Sequence, residues 1–226
     1  MGDDPNFRLK AFSVIACVLG VFLVSFVAQR VYFWMRTRRR DDVDTTKVAP
    51  FIDFALLGLG VFVIWLAIES LLLAVVTTNM KTQPRDMQKI AEIEIGKLDR
   101  ETDQTNLLFY PVDRAGRRQA EQRRPVLTSG DQFELQVEVL QWRGMWQWLG
   151  EGGYYQFVAL GGLQTAGQPA AERTSLDAVE VPRGLGALIF LQTPVTWQVR
   201  QSCAEGDVYD ILLDPQSQAL IVRAHE

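Results

Sequence analysis

A chain of 226 residues with 23 Lys and Arg against 27 Asp and Glu carries a formal net charge of −4, which excludes the basic footprint a nucleic-acid backbone demands. Two cysteines and one histidine are too few for a disulfide framework or for a clustered copper, zinc or haem site.

Residues 1–10 read as an N-terminal tail. From Ala11 to Ala28 the stretch AFSVIACVLGVFLVSFVA has no charge, and Val31 to Met35 extends it past Arg30 with Tyr32 and Trp34, an aromatic pair suited to headgroup depth. A signal peptide's apolar core covers about 7–15 residues and ends at a small-residue cleavage site. This run is longer and leads into RVYFWMRTRRR, so it is expected to stay in the mature chain.

A second run, Phe54 to Thr77, contains one charge, Glu69. As a helix it would reach roughly 35 Å, enough to cross a hydrocarbon core of about 30 Å. The prediction is therefore a transmembrane hairpin over 11–77, with spans at about 11–35 and 54–77 and a loop at 36–53.

That loop holds Arg36, Arg38, Arg39, Arg40 and Lys47, against Arg8 and Lys10 before the first span and Lys81, Arg85 and Lys89 after the second. The positive-inside rule places the loop in the cytoplasm and the chain after Asn79 in the periplasm of a bacterial inner membrane. RTRRR then serves as a topology anchor, with contact to anionic lipid as the alternative.

Glu69 lies about 22 Å into the second span, leaving roughly 12 Å to the far side, too deep for a short side chain to snorkel easily. An acid at that depth is costly unless it faces protein or water. Glu69 and Ser70 beside it are therefore the candidate contact with another membrane subunit; pairing inside the hairpin, or a shifted span, is the plainer alternative. Asp53 sits close enough to the cytoplasmic interface to reach it.

Residues 78–226 form the extramembrane domain, with 15 basic against 20 acidic residues. AEIEIGK and QFELQVEVL alternate apolar and polar positions with the period of a half-buried strand. NLLFYPV, YYQFVAL, TWQVRQS and ALIVRAH are further strands, divided by the turn clusters TSGD, GEGG, AEGD and LDPQSQ. The fold class is a two-helix membrane hairpin followed by a mainly antiparallel β domain, barrel or sandwich. Short helices are allowed only in KTQPRDMQKI and in the region 172–192; ETDQ, DRAGRRQAEQRR and LQTAGQPAAERTS are placed in loops. The cluster Arg114, Arg117, Arg118, Arg123 and Arg124 reads as a solvated loop, with docking to an acidic partner as the alternative.

LQWRGMWQWLG brings Trp142, Trp146 and Trp148 close together. The rings either close one end of the β core or form a surface for a partner or for lipid headgroups. Cys17 falls inside a span and Cys203 in the β domain, which leaves no disulfide between them. Neither Cys203 nor His225 has the neighbours that nucleophilic catalysis needs. No catalytic, cofactor or metal residue is assigned.

Two spans followed by an external β domain is the layout of cytochrome c oxidase subunit II, here without the cysteine and histidine ligands of its copper centre. SGDQFELQVEVLQW, YYQFVALGGL and the tail with Tyr209 and LDPQSQALIV resemble an uncharacterised family of small proteobacterial two-span membrane proteins, often labelled cation or multidrug efflux proteins. That resemblance implies a β-rich domain after an Arg-rich turn and brings no catalytic residues. Transporters line their midplane sites with many helices, so a two-span chain is expected to accompany a larger complex, with lipid and membrane subunits as its partners. A non-catalytic accessory or assembly subunit, of a respiratory or photosynthetic complex among others, is the first reading. A transport-associated protein, or a metal-free relative of oxidase subunit II, is the alternative.

Overall fold

Residues 7–38, 50–99, 104–113, 115–149, 153–163, 169–176, 178–179 and 190–225 are described by a computed structural model. Helix α1 runs Phe7–Arg38 and α2 Pro50–Thr78, both apolar and of membrane-spanning length. Pro50 opens α2, where the missing N–H costs no helical hydrogen bond. At the other end Thr77 and Thr78 donate their hydroxyls to the carbonyls of Leu73 and Ala74, at 2.8 and 2.7 Å.

The chain divides into two compact units. One comprises Met1–Asn79 with Arg143–Glu151 and Val181–Phe190; the other comprises Met80–Trp142, Gly152–Glu180 and Leu191–Glu226.

In the first unit α1 and α2 pack as a hairpin. Leu9, Ser13, Ala16, Gly20 and Val27 recur at helical spacing on the buried face of α1, opposite Gly60, Ala67, Ser70, Ala74 and Thr77 of α2. Small residues there let the backbones approach closely. A Cβ on Gly20 would fall 3.0 Å from both the Ile64 nitrogen and the Gly60 carbonyl oxygen, tighter than most side chains come, so glycine favours this close crossing. Near the loop end, Arg30 Nε lies 3.0 Å from Asp53 Oδ1, an ion pair without the alignment of a hydrogen bond.

Among its described residues the second unit contains ten strands: β1 Lys81–Thr82, β2 Gln88–Asp99, β3 Gln104–Pro111, β4 Arg124–Ser129, β5 Gln132–Gln141, β6 Gly153–Leu163, β7 Pro169–Ser175, β8 Val195–Ser202, β9 Val208–Asp214 and β10 Ala219–Ala224. All pairings are antiparallel. One sheet has the order β1-β6-β5-β8 with β7 also on β6, and the other β10-β9-β2-β3-β4. Neither sheet closes, so the two open sheets make a sandwich-like domain and not a barrel.

Alternation on each strand sends Ile93 and Ile95 of β2, Leu107 and Phe109 of β3, Phe133, Leu135 and Val137 of β5 and Ile211 and Leu213 of β9 into one shared core. Full burial of such side chains stabilises the fold by about 1.5–3 kcal/mol each. The Phe109 and Phe157 rings meet edge to face at 4.9 Å between centroids. At Gly162 of β6 any Cβ would collide with the Ser129 carbonyl oxygen and Thr128 Oγ1 at the end of β4, so glycine permits that approach.

Several local expectations are corrected. KTQPRDMQKI forms no helix: Lys81 and Thr82 pair with Tyr155 and Tyr154, Gln88 begins β2, and Pro84 between them has no N–H to donate. LQTAGQPAAERTS was expected in a loop, yet Pro169–Ser175 is β7, bonded to β6 alone among the strands, a position where proline and small residues are tolerated. Arg124 belongs to β4 and Val208–Asp214 forms β9, neither of them among the expected strands. Gly130 and Gly206, at φ of 107° and 85°, shape the TSGD and AEGD turns as their composition suggests. The Arg-rich loop from Arg39 to Lys47, Arg114, most of ETDQ and GEGG, and residues 181–189 of the second possible helix lie outside the described residues.

Candidate functional site

Ser70 is buried in the hairpin. Its Oγ lies 2.7 Å from Ser13 Oγ on α1, and each hydroxyl also lies 2.9 Å from a carbonyl of its own helix, Leu9 for Ser13 and Ala67 for Ser70. Two hydroxyl protons serve these contacts: one bridges the helices, and the other returns to a main-chain oxygen. Both groups are thereby satisfied inside the hairpin, in the manner of a polar residue holding two apolar helices in register.

Glu69, one residue earlier, points elsewhere. It is half-buried on the flank of α2, and it has no hydrogen-bond or ion-pair partner among the described residues. The structure separates the two neighbours that the sequence brackets together, with Ser70 engaged by Ser13 and Glu69 left unpaired.

The tryptophans divide in the same way. Trp142 is buried in the β unit, bridged to Leu191 and packed edge to face on Tyr154 at 5.9 Å, and its Nε1 has no hydrogen-bond partner there. Trp146 and Trp148 belong to the helical unit. They sit on a short 3₁₀ turn, Gly144–Leu149, and both rings approach Phe12 of α1, at 5.8 and 6.1 Å. Phe190 completes the cluster, 4.9 Å from Trp146 and 6.1 Å from Phe12. Arg8 Nη1 donates to the Trp148 carbonyl at 3.3 Å, and the Arg143 N–H donates to the Phe190 carbonyl at 2.8 Å. Arg8, Phe12, Ser13 and Phe190 were not singled out from the sequence. Ser13 carried part of a signal, as one of two hydroxyls in a largely apolar run with Ser25, whereas the contact of Phe12 with residues far along the chain carried none.

Charged groups of the β unit are largely satisfied by one another. Glu134, buried on β5, accepts from Arg200 Nε at 2.8 Å and Gln136 Nε2 at 2.6 Å, with Arg173 Nη2 at 3.3 Å. Burial pushes this carboxyl up, but those hydrogen bonds and the two guanidinium charges outweigh it, and it titrates below the ordinary glutamate range. Arg118, expected in a solvated loop, is ion-paired to buried Glu92 and stacks over Tyr110 at 4.2 Å. Arg117 is exposed and pairs with Asp113 at 3.1 Å.

Glu92, Asp210 and His225 bring three potential metal-ligand atoms within 4.8 Å of one another. Lys89 Nζ already lies there, 2.8 Å from Glu92 Oε2 and 2.6 Å from Asp210 Oδ1, so the cationic charge comes from the chain itself. Burial, with the nearby Asp131 charge, raises the Cys203 thiol to about 11, which leaves little nucleophilic thiolate at neutral pH.

The chain matches no known protein family, no curated protein and no solved structure. The functional reading therefore rests on the geometry of the hairpin.

Proposed function

We propose that this chain is a non-catalytic integral membrane subunit that assembles with a larger membrane complex through the Glu69 flank of α2 and presents its β domain to the periplasm. The observation that carries this reading is Glu69, ionisable, half-buried and unpaired among the described residues, in the part of α2 after Asp53 that carries no other charge.

The depth of the groups supports it. The spans Phe7–Phe33 and Ile52–Thr78 are centred on Gly20 and Trp65, and Gly20 packs against Ile64, so the two midpoints lie level. Glu69 is then about 6 Å from the midplane along the helix, well inside a hydrocarbon half-thickness of about 15 Å. Arg30 and Asp53 fall about 15–18 Å from it on the other side, where an ion pair meets headgroups and water. The outward faces carry Val14, Val18 and Phe22 on α1 and Phe54, Val61 and Val75 on α2, all exposed, which suits contact with acyl chains.

An acid six ångströms or so from the midplane is stable when a neighbouring helix offers it a hydrogen bond or a cation. Orientation is tested with reporters active only in the periplasm: one fused after Glu226 gives activity and one inserted near Asp42 gives none. The reverse pattern would put the β domain in the cytoplasm.

A further inference from the structure

We propose that the Gly144–Leu149 turn is an interfacial foot, whose Met145 and Trp148 enter the boundary between headgroups and acyl chains of the bilayer that holds α1 and α2. The proposal rests on the membrane reading above and adds a third point of lipid contact to the two spans.

The geometry of the turn selects its outward residues. In a 3₁₀ helix, side chains three positions apart eclipse one another, so Met145 and Trp148 share a face. That face is open, with Met145 76% and Trp148 55% exposed. Trp146 packs into Phe12 and Phe190, and Trp148 meets the same Phe12 ring by an edge, so both fix the turn against α1 while Trp148 keeps more than half of its surface open. Phe12 lies about 12 Å from Gly20 along the helix, just inside the edge of a hydrocarbon half-thickness of about 15 Å. The turn inherits that depth.

Its surroundings match the same layer. Phe7, 69% exposed in the first turn of α1, extends the apolar surface at this end. Arg8 and Arg143 bracket it with cations on long side chains, which can reach lipid phosphates while their stems stay among the acyl chains. Tryptophan beside arginine at the end of an apolar helix is the arrangement that the bilayer interface favours. Met145 and Trp148 are thus exposed beside Phe12 of the same helix whose Phe7, Val14 and Val18 are exposed, which argues for lipid as the occupant.

The test uses the whole chain in vesicles of phosphatidylcholine and phosphatidylglycerol. Nitroxide labels are placed singly through Met145→Cys, Val18→Cys and Ser217→Cys in a background carrying Cys17→Ala and Cys203→Ala, and their collision rates with oxygen and a water-soluble nickel chelate are compared. Oxygen is expected to dominate at positions 18 and 145, with the smaller excess at 145, and nickel at 217. Nickel dominating at 145 while oxygen dominates at 18 overturns the foot and leaves the membrane reading intact. Nickel at all three overturns both, and shelter from both reagents at 145 means that protein covers the turn, which also overturns the proposal. A second measurement needs no cysteine changes: lipids brominated near the headgroup quench the wild-type chain more than Trp148→Phe. Equal quenching of the two would contradict insertion of Trp148.

Discussion

Ser13 Oγ and Ser70 Oγ lie 2.7 Å apart in the buried seam between α1 and α2, and each is within 2.9 Å of a carbonyl of its own helix. The pair is a buried polar cross-link in a seam of closely packed small residues, distinct from the Arg30–Asp53 ion pair near the loop end. Ser13→Ala and Ser70→Ala are each expected to weaken the hairpin by about 0.6 kcal/mol, at most about 1.7, the range found for hydrogen bonds between membrane helices. A double-mutant cycle in unfolding from mixed detergent checks this: the second substitution should cost less once the first is present. Strict additivity would mean that the hydroxyls act only on their own helices.

Glu134 supplies a pH dependence whose sign follows from its environment. The folded carboxyl titrates below its ordinary value of 4.5 because hydrogen bonds and two guanidinium charges outweigh the opposing effect of burial. Its stabilisation is therefore complete above that ordinary value and is lost as pH falls through the lower folded one. Between about pH 5 and about pH 3 the melting temperature should fall, and the fall should be smaller in Glu134→Gln. Asp113 and Asp214, also depressed, contribute in the same direction, so the difference between the two proteins isolates Glu134. Parallel curves for the two would contradict the assignment.

Cys203 is expected to react slowly. A thiol raised from 9.0 to about 11 carries about a hundredfold less thiolate at neutral pH, since each unit is a factor of ten. Alkylation by iodoacetamide at pH 7.5 should be slower than that of a free thiol by about this factor, and should accelerate on unfolding. Asp131→Asn should recover part of the rate, because the Asp131 charge is the smaller of the two causes. Rapid modification of the folded chain would show that the side chain is not held against the core.

How far the sequence reveals this fold depends on the range of the interaction concerned. The hairpin is legible because each span is one long run whose apolarity is its own signal, and β2 and β5 are legible because period-two alternation is local. β9 carries the same signal, with Tyr209, Ile211 and Leu213 buried in alternation, but it is short and runs directly into the LDPQSQ turn. β7 carried none: PAAERTS shows no alternation of large apolar residues in its sequence and is a strand because β6 offers it an edge. The depth of Glu69 is readable by counting, but its lack of a partner is not, since that depends on which face α1 covers. The division of the tryptophans is further out of reach. Trp142 and Trp146 are four positions apart, yet one packs on Tyr154 of the neighbouring strand β6 and the other on Phe12 of α1, far away in the chain.

Glu69 carries the central claim, and the most direct measurement is recovery of companion membrane subunits with the chain, purified from mild detergent as wild type, Glu69→Gln and Glu69→Leu. Glu69→Leu should reduce recovery, because it leaves a partner's polar group unmatched in hydrocarbon at a cost of about 1–2 kcal/mol by model-peptide values. Glu69→Gln should retain recovery if the acid is held neutral and lose it if the acid pairs with a cation. Companion subunits recovered from Glu69→Leu in the same proportion as from wild type would contradict the account, and the hairpin would then be an anchor alone.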